Sequence, residues 1–133
     1  PFMTAIEPGE IIVETVFPPQ TAGSGWAIEE VARRSGDFAL AGVAAQIRCD
    51  DSGLISHARL AYISVGPKPQ RVTAAEESLI GERPGPGVFS HSAHIAASEL
   101  EPSSDIHAQA DYRTHLARVL TERSLARAVA RAT

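Results

Sequence analysis

The rhythm of apolar and polar positions changes several times along this chain, and each rhythm predicts an element. After a turn at Ile6-Glu7-Pro8-Gly9-Glu10, the β-branched run from Ile11 to Phe17 predicts a strand that Pro18 and Pro19 stop. Thr21 to Gly25 is a link of small residues. From Trp26 to Arg34, Ile28 and Val31 share one side, Glu29 and Glu30 come early, and Arg33 and Arg34 come late. That charge order suits a helix dipole and predicts a short helix. Gly36-Asp37 turns the chain. Phe38 to Cys49 then predicts a long strand, Asp50-Asp51-Ser52-Gly53 a hairpin turn, and Leu54 to Val65 an antiparallel return. Gly66-Pro67-Lys68-Pro69 ends the return strand.

The rest of the chain reads as helical. Thr73 to Leu79 predicts a short helix closed by Gly81, Glu82 to Gly87 a loop, and Val88 to Leu100 a second helix. Glu101 to Asp105 is a break, because Pro102 cannot continue the helical ladder. Ala110 to Ala130 predicts the longest helix, with Tyr112, Leu116, Val119, Leu120 and Arg123 near one face. The order β-α-β-β-α-α-α argues an α+β fold, a small antiparallel sheet with helices packed on one face. With 133 residues and no internal repeat, residues 1–133 read as a single domain.

Composition narrows the function classes. An apolar fraction of 44% and a charged fraction of 21% suit one buried core. No apolar run approaches the roughly 18 residues of a membrane span, so no membrane partner is expected. Residues 113–133 hold five arginines against Glu122, yet the chain is acidic overall, with net charge −4 and few aromatics. The arginines read as a solvated face, and nucleic-acid binding is not expected. Cys49 is the lone cysteine, so no internal disulfide can form and a reducing cytoplasm is the expected setting. Cys49 itself reads as a buried, inert strand residue.

The chemistry-bearing residues are sparse. No catalytic residue stands out, and no G-x-S-x-G elbow is present. His91 and His94 lie three apart on a predicted helix, but without a third ligand no metal is expected. His107 and His115 flank Tyr112, and either could pair with Asp105 or Asp111 for acid–base work. Tyr112-Arg113 reads as an anchor for the last helix, with the phenol seeking a buried partner. The small residues after Gly36-Asp37 suggest close packing against another backbone or a flat ligand.

Four segments, in order, carry a resemblance. They are Ile6-Glu7-Pro8-Gly9-Glu10-Ile11-Ile12 through Phe17-Pro18; Arg33-Arg34-Ser35-Gly36-Asp37-Phe38-Ala39; Ala58-Arg59-Leu60-Ala61 through Val65-Gly66-Pro67-Lys68-Pro69-Gln70-Arg71 to Ala75-Glu76; and Ser104-Asp105 with Asp111-Tyr112-Arg113 and His115-Leu116. Together they resemble the C-terminal domain of the FAD-carrying medium subunit of molybdenum hydroxylases, the family of aerobic carbon monoxide dehydrogenase and xanthine dehydrogenase.

The resemblance implies an accessory domain of an oxidoreductase subunit that completes the flavin site and docks on partner subunits. Asp37, Phe38 and Ala39 are then the candidate cofactor-binding residues, with Asp37 reading equally as a stabiliser of its own turn. Arg33 and Arg34 would face a partner, an anionic cofactor or solvent. The implied partners are an FAD-binding N-terminal half, an iron–sulfur subunit and a molybdopterin subunit. The FAD diphosphate-binding domain is absent, since neither G-x-G-x-x-G nor G-x-x-x-x-G-K-[ST] occurs. FAD is therefore expected only in association with a partner domain, and no cofactor for the chain alone. Met3 is a candidate start, and the chain reads equally as a piece of a longer protein. Exposed docking surface on the chain alone would favour a homodimer. A second reading is a stand-alone copy of the domain, repurposed as a small-molecule enzyme or binding protein in a biosynthetic pathway. Its pocket would be lined by Trp26, Asp37, Tyr62 and a histidine.

Overall fold

In the computed structural model, which describes residues 4–132, the first ordered element is a strand, β1, at Ser24–Ala32. It pairs antiparallel with β2 (Ala39–Cys49), which pairs antiparallel with β3 (Ile55–Ile63), and a two-residue β4 (Gln70–Arg71) completes the sheet. The spatial order β1-β2-β3-β4 is a meander. Three helices follow: α1 (Thr73–Glu77), α2 (Pro86–Glu99) and α3 (Ala110–Arg131). The α+β class, the β2–β3 hairpin and the three C-terminal helices match the sequence expectation. Met3 lies outside the described residues.

Two expected elements differ. Residues 26–34 form most of β1 and the turn after it, not a helix. Residues 24–32 alternate in two, with Gly25 and Ala27 buried and Trp26 and Ile28 exposed. Pairing along β2 from Arg48 to Ala39 outweighs the i,i+3 spacing of Ile28 and Val31, which fits either period. The acidic-then-basic order that mimicked a helix dipole has another use: Glu29 pairs with Arg127 of α3, and Arg33 pairs with Asp37 across the turn. The second difference is Ile11 to Phe17, which joins no ladder and is exposed throughout. A strand needs a neighbour, and none of the four strands pairs with it.

The inner face of the sheet explains the run of small residues. The cross-strand rows Ala27–Ala45–Leu60 and Glu29–Val43–Tyr62 point inward, and α3 crosses β1 and β2 on that side. Its facing positions are also small: Ala117, Thr121, Ser124 and Ala128. At Gly25 an added Cβ would sit 1.8 Å from the Ala128 carbonyl oxygen, so helix and strand meet backbone to backbone. Polar groups taken into this interface are bonded. Thr121 Oγ1 donates to the Ala117 carbonyl at 2.7 Å and meets the Tyr62 hydroxyl at 3.0 Å, and Ser124 Oγ donates to the Val43 carbonyl at 3.3 Å. The anchor of α3 is Arg113, which is buried, whereas Tyr112 is half exposed.

The free edge of β3 is closed by side chain rather than strand. Buried Glu76 accepts the Leu60 N–H at 2.9 Å and a two-pronged bond from Arg71. A carboxylate thus replaces the ladder where β4 is too short.

Candidate functional site

Three loops converge beyond the ends of β1, β2 and β3, and they enclose a cavity of about 290 Å³. The first is the β1–β2 link, residues 33–38. Gly36 sits at φ 80°, which only glycine adopts without strain. Asp37 then holds the turn with both carboxylate oxygens: Oδ1 accepts the Phe38 N–H at 2.9 Å, and Oδ2 accepts from Arg33 at 3.1 Å. Arg34 stands at 3.7 Å from Oδ2. The Phe38 side chain beside it is 93% exposed at the rim. Ala39, half-buried, adds only a methyl group to the wall.

The second loop follows β3. Ser64 has φ 61°, the single non-glycine residue with positive φ among those described. Such a conformation persists only where surrounding contacts hold it. Here the contact is Arg113, whose Nη1 donates to the Leu40 carbonyl at 2.6 Å and the Ser64 carbonyl at 3.2 Å. The third loop carries Asp105. Its Oδ1 accepts the His107 and Ala108 N–H groups at 2.8 and 2.9 Å, and its Oδ2 accepts from Arg113 Nη2 at 2.7 Å. These backbone N–H groups, then the guanidinium, hold the Asp105 carboxyl down at about 2. One guanidinium therefore ties the start of β2, the end of β3 and the loop before α3 into one rim. Its Nε is buried without a partner.

All three residues expected to meet a cofactor, Asp37, Phe38 and Ala39, line this cavity together with Arg33. Arg34 lies on the surface. His107 and Asp105 also line it, but they meet through backbone N–H and carboxylate, not through the imidazole. His115 and Asp111 are exposed on α3 outside it. The alternative pocket of Trp26, Asp37 and Tyr62 does not form. Trp26 lies on the outer sheet face beside His57, Asp37 lies at the sheet end, and Tyr62 is fully buried, its hydroxyl pushed well above the usual phenol range by burial. His91 and His94 are exposed, with His94 Nδ1 2.8 Å from the Ser90 carbonyl. Among the described residues no group of three or more His, Cys, Asp or Glu is placed to hold a metal. Cys49 is half-buried at the end of β2, and burial raises its thiol pKa.

Sequence reasoning missed Ser64 and the central place of Arg113. A signal for Arg113 exists: it falls on the same helical stripe as Leu116, Ala117, Leu120 and Ser124, so a cation interrupts an otherwise inward face.

Comparison with known proteins places this arrangement. Residues 26–128 match the model of the CO dehydrogenase flavoprotein C-terminal domain. The chain is 37% identical over 98% of its length to the 6-hydroxypseudooxynicotine dehydrogenase complex subunit alpha of Paenarthrobacter nicotinovorans, covering 44% of that protein. It is 34% identical over 98% of its length to the carbon monoxide dehydrogenase medium chain of Hydrogenophaga pseudoflava, covering 45% of it. Among solved structures, reconstituted CO dehydrogenase from Oligotropha carboxidovorans superposes with a TM-score of 0.91 at 31% identity, over 98% of this chain and 46% of that one. The chain thus spans a little under half the length of the relatives it matches. With the meander, the helix layer and the match over residues 26–128 in agreement, this chain belongs to the CO dehydrogenase flavoprotein C-terminal domain family.

Proposed function

We propose that this chain is the accessory C-terminal part of an FAD-binding medium subunit in a molybdenum-hydroxylase-type oxidoreductase, with Asp37, Phe38 and Ala39 facing the flavin. The observation that carries this reading is the cavity at the sheet end. It joins a bare aromatic ring, a fixed carboxylate and the Ala39 methyl group on one otherwise largely polar rim. The ring offers a face and the carboxylate an acceptor to a flat heterocycle, and none of these three groups would cradle a diphosphate. FAD would therefore be held jointly with an FAD-binding half, and weakly or not at all by this chain alone. The flavin, when bound, supplies the redox chemistry. This chain's residues supply shape and charge: Phe38 offers a stacking surface, Asp37 a carboxylate oriented by Arg33, and Ala39 the clearance for close approach. Arg113 keeps the three loops in register around them. An iron–sulfur subunit and a molybdopterin subunit are the further partners of this reading, and the cytoplasm its setting. Among the described residues no helix is long and apolar enough to cross a membrane.

The test uses the chain assembled with its FAD-binding half. Phe38→Ala should weaken flavin retention roughly fivefold, the loss of one aromatic contact of about 1 kcal/mol, with the melting temperature unchanged. Asp37→Ala should alter flavin occupancy or the flavin absorbance spectrum in the same preparation. Unchanged occupancy and spectrum in both variants would overturn the assignment.

A further inference from the structure

The wall of the sheet-end cavity carries the ionisable side chains of Arg33, Asp37, Asp105, His107 and Arg113. Four of these are engaged with one another. Asp37 accepts from Arg33 and from the Phe38 N–H. Asp105 accepts from Arg113 and from the His107 and Ala108 N–H groups, which hold its carboxyl down at about 2. Both carboxylates are thus taken up by fixed donors, and guanidinium groups do not give up protons in proteins. His107 differs. Among the described residues its ring enters no hydrogen bond or ion pair, and only its backbone N–H is used, by Asp105. The residue is exposed at the rim, so water reaches it from outside. The loop that carries it is nonetheless held, since Asp105 is tied to Arg113 and Arg113 to the Leu40 and Ser64 carbonyls. The sequence suggested a His107–Asp105 acid–base pair. The carboxylate instead fixes the backbone of His107 and leaves the imidazole, which can both give and take a proton, for another partner.

We propose that His107 is the proton-exchanging residue of this flavin site. The assignment rests on the flavin reading above and adds a chemical role to it. Reducing a flavin by an electron pair also adds protons to its ring nitrogens. The electrons come from the iron–sulfur subunit of that reading. His107 supplies one proton: an imidazolium N–H bond breaks, an N–H bond to the flavin ring forms, and the neutral imidazole left behind is reprotonated by water at the exposed rim. Reoxidation returns the proton by the same path. The charged groups facing His107 are Arg33 and Arg113, each paired with a carboxylate of the wall, Asp37 and Asp105.

The test uses the chain assembled with its FAD-binding half, with dithionite as electron donor and flavin absorbance as the readout. His107→Gln keeps the backbone N–H that Asp105 accepts, so melting temperature and flavin occupancy should not change. Flavin reduction should slow roughly tenfold, less than the ~10²–10⁴ that a positioned acid typically supplies, because water also reaches this rim. In the unaltered protein the rate should fall as pH rises through the range in which imidazoles titrate, about pH 5 to 8, because the donor form is lost. In the variant that fall should vanish. Imidazole added to His107→Ala should restore the rate in proportion to its concentration, which a merely structural loss would not show. At equilibrium, the His107 ring carbons followed by magnetic resonance should titrate at higher pH with reduced than with oxidised flavin, since the added electrons favour the cation. His115→Gln, exposed on α3 outside the cavity, should match the unaltered protein. A rate and pH profile in His107→Gln within twofold of the unaltered protein would overturn the proposal, and so would absent rescue by imidazole or identical titration in the two redox states. Unchanged flavin in the Phe38 and Asp37 variants would overturn the flavin reading itself; altered flavin there with no effect at His107 would strike this assignment alone.

Discussion

The two hairpin links of the sheet are built from the same local parts and end up doing different things. In the β2–β3 link, Gly53 has φ 76° and Asp50 Oδ1 accepts the N–H groups of Ser52 and Leu54. Backbone bonds between Asp50 and Leu54 and from Gly53 to Asp50 close it on itself. In the β1–β2 link, Gly36 has φ 80° and Asp37 binds its neighbour's N–H and Arg33. One backbone bond, from Asp37 to Arg34, is all that closes this second link internally. It therefore leaves Phe38 bare at the rim, and the β2 start beyond it is fixed by Arg113 from a helix more than seventy residues away. A Gly-Asp turn announces a reversal of the chain. Whether the reversal also carries a site depends on what reaches it from elsewhere.

The largest effect should come from breaking that reach. Arg113→Met strips donors from the Leu40 and Ser64 carbonyls and the cationic partner from Asp105, and it should cost about 3 kcal/mol in denaturant unfolding. Arg113→Lys should restore part of that, because an ammonium keeps the charge but lacks the planar fork. The same contact has an acid limit. The Asp105 carboxyl is lowered from 3.8 to about 2 by its backbone donors and Arg113. Its contribution is therefore present above pH 4 and lost as pH falls toward 2; Asp105→Asn should flatten that part of a melting-temperature profile against pH.

Next should come Asp50→Ala, which unpairs two backbone N–H groups of the self-contained link and should cost about 1–2 kcal/mol. In the assembled subunit it should leave flavin occupancy untouched, which makes it the control for the other link. Asp37→Ala should cost about 1 kcal/mol or less, because its ion pair with Arg33 is solvent-exposed, while changing flavin behaviour. Equal flavin effects from Asp50 and Asp37 variants would erase the contrast between the links. The smallest effect on folding should be Phe38→Ala, within about 0.5 kcal/mol, since the ring packs on nothing in this chain.

The β2–β3 hairpin was legible because its turn residues, alternation and strand lengths all agreed. The three helices were legible because Pro102 and the Gly-Pro cluster at 84–87 bracket them. The mistaken helix at 26–34 had no such agreement. Ile28 and Val31 satisfy a helical spacing, but Trp26 and Ile28 against Gly25 and Ala27 satisfy a strand's, and a nine-residue window cannot rank the two. Asp37, Phe38 and Ala39, the residues proposed to face a flavin, were singled out by turn chemistry and family wording, and they line one cavity. Arg113 read only as a helix anchor, Asp105 only as a histidine partner and Ser64 not at all; that one guanidinium joins Asp105, Ser64 and Leu40 was not legible, since those bonds span 8, 49 and 73 residues of chain.

Local chemistry, then, was written in the residue order: where the chain turns and where its helices start and stop. Those properties follow from backbone sterics and side-chain polarity within a few residues. Pairing came from assembly. Residues 24–32 are a strand because β2 lies beside them and α3 lies close enough to need Gly25. Residues 11–17, with stronger strand propensity, form no ladder because a strand is made by its neighbour's hydrogen bonds, and here no neighbour is in reach.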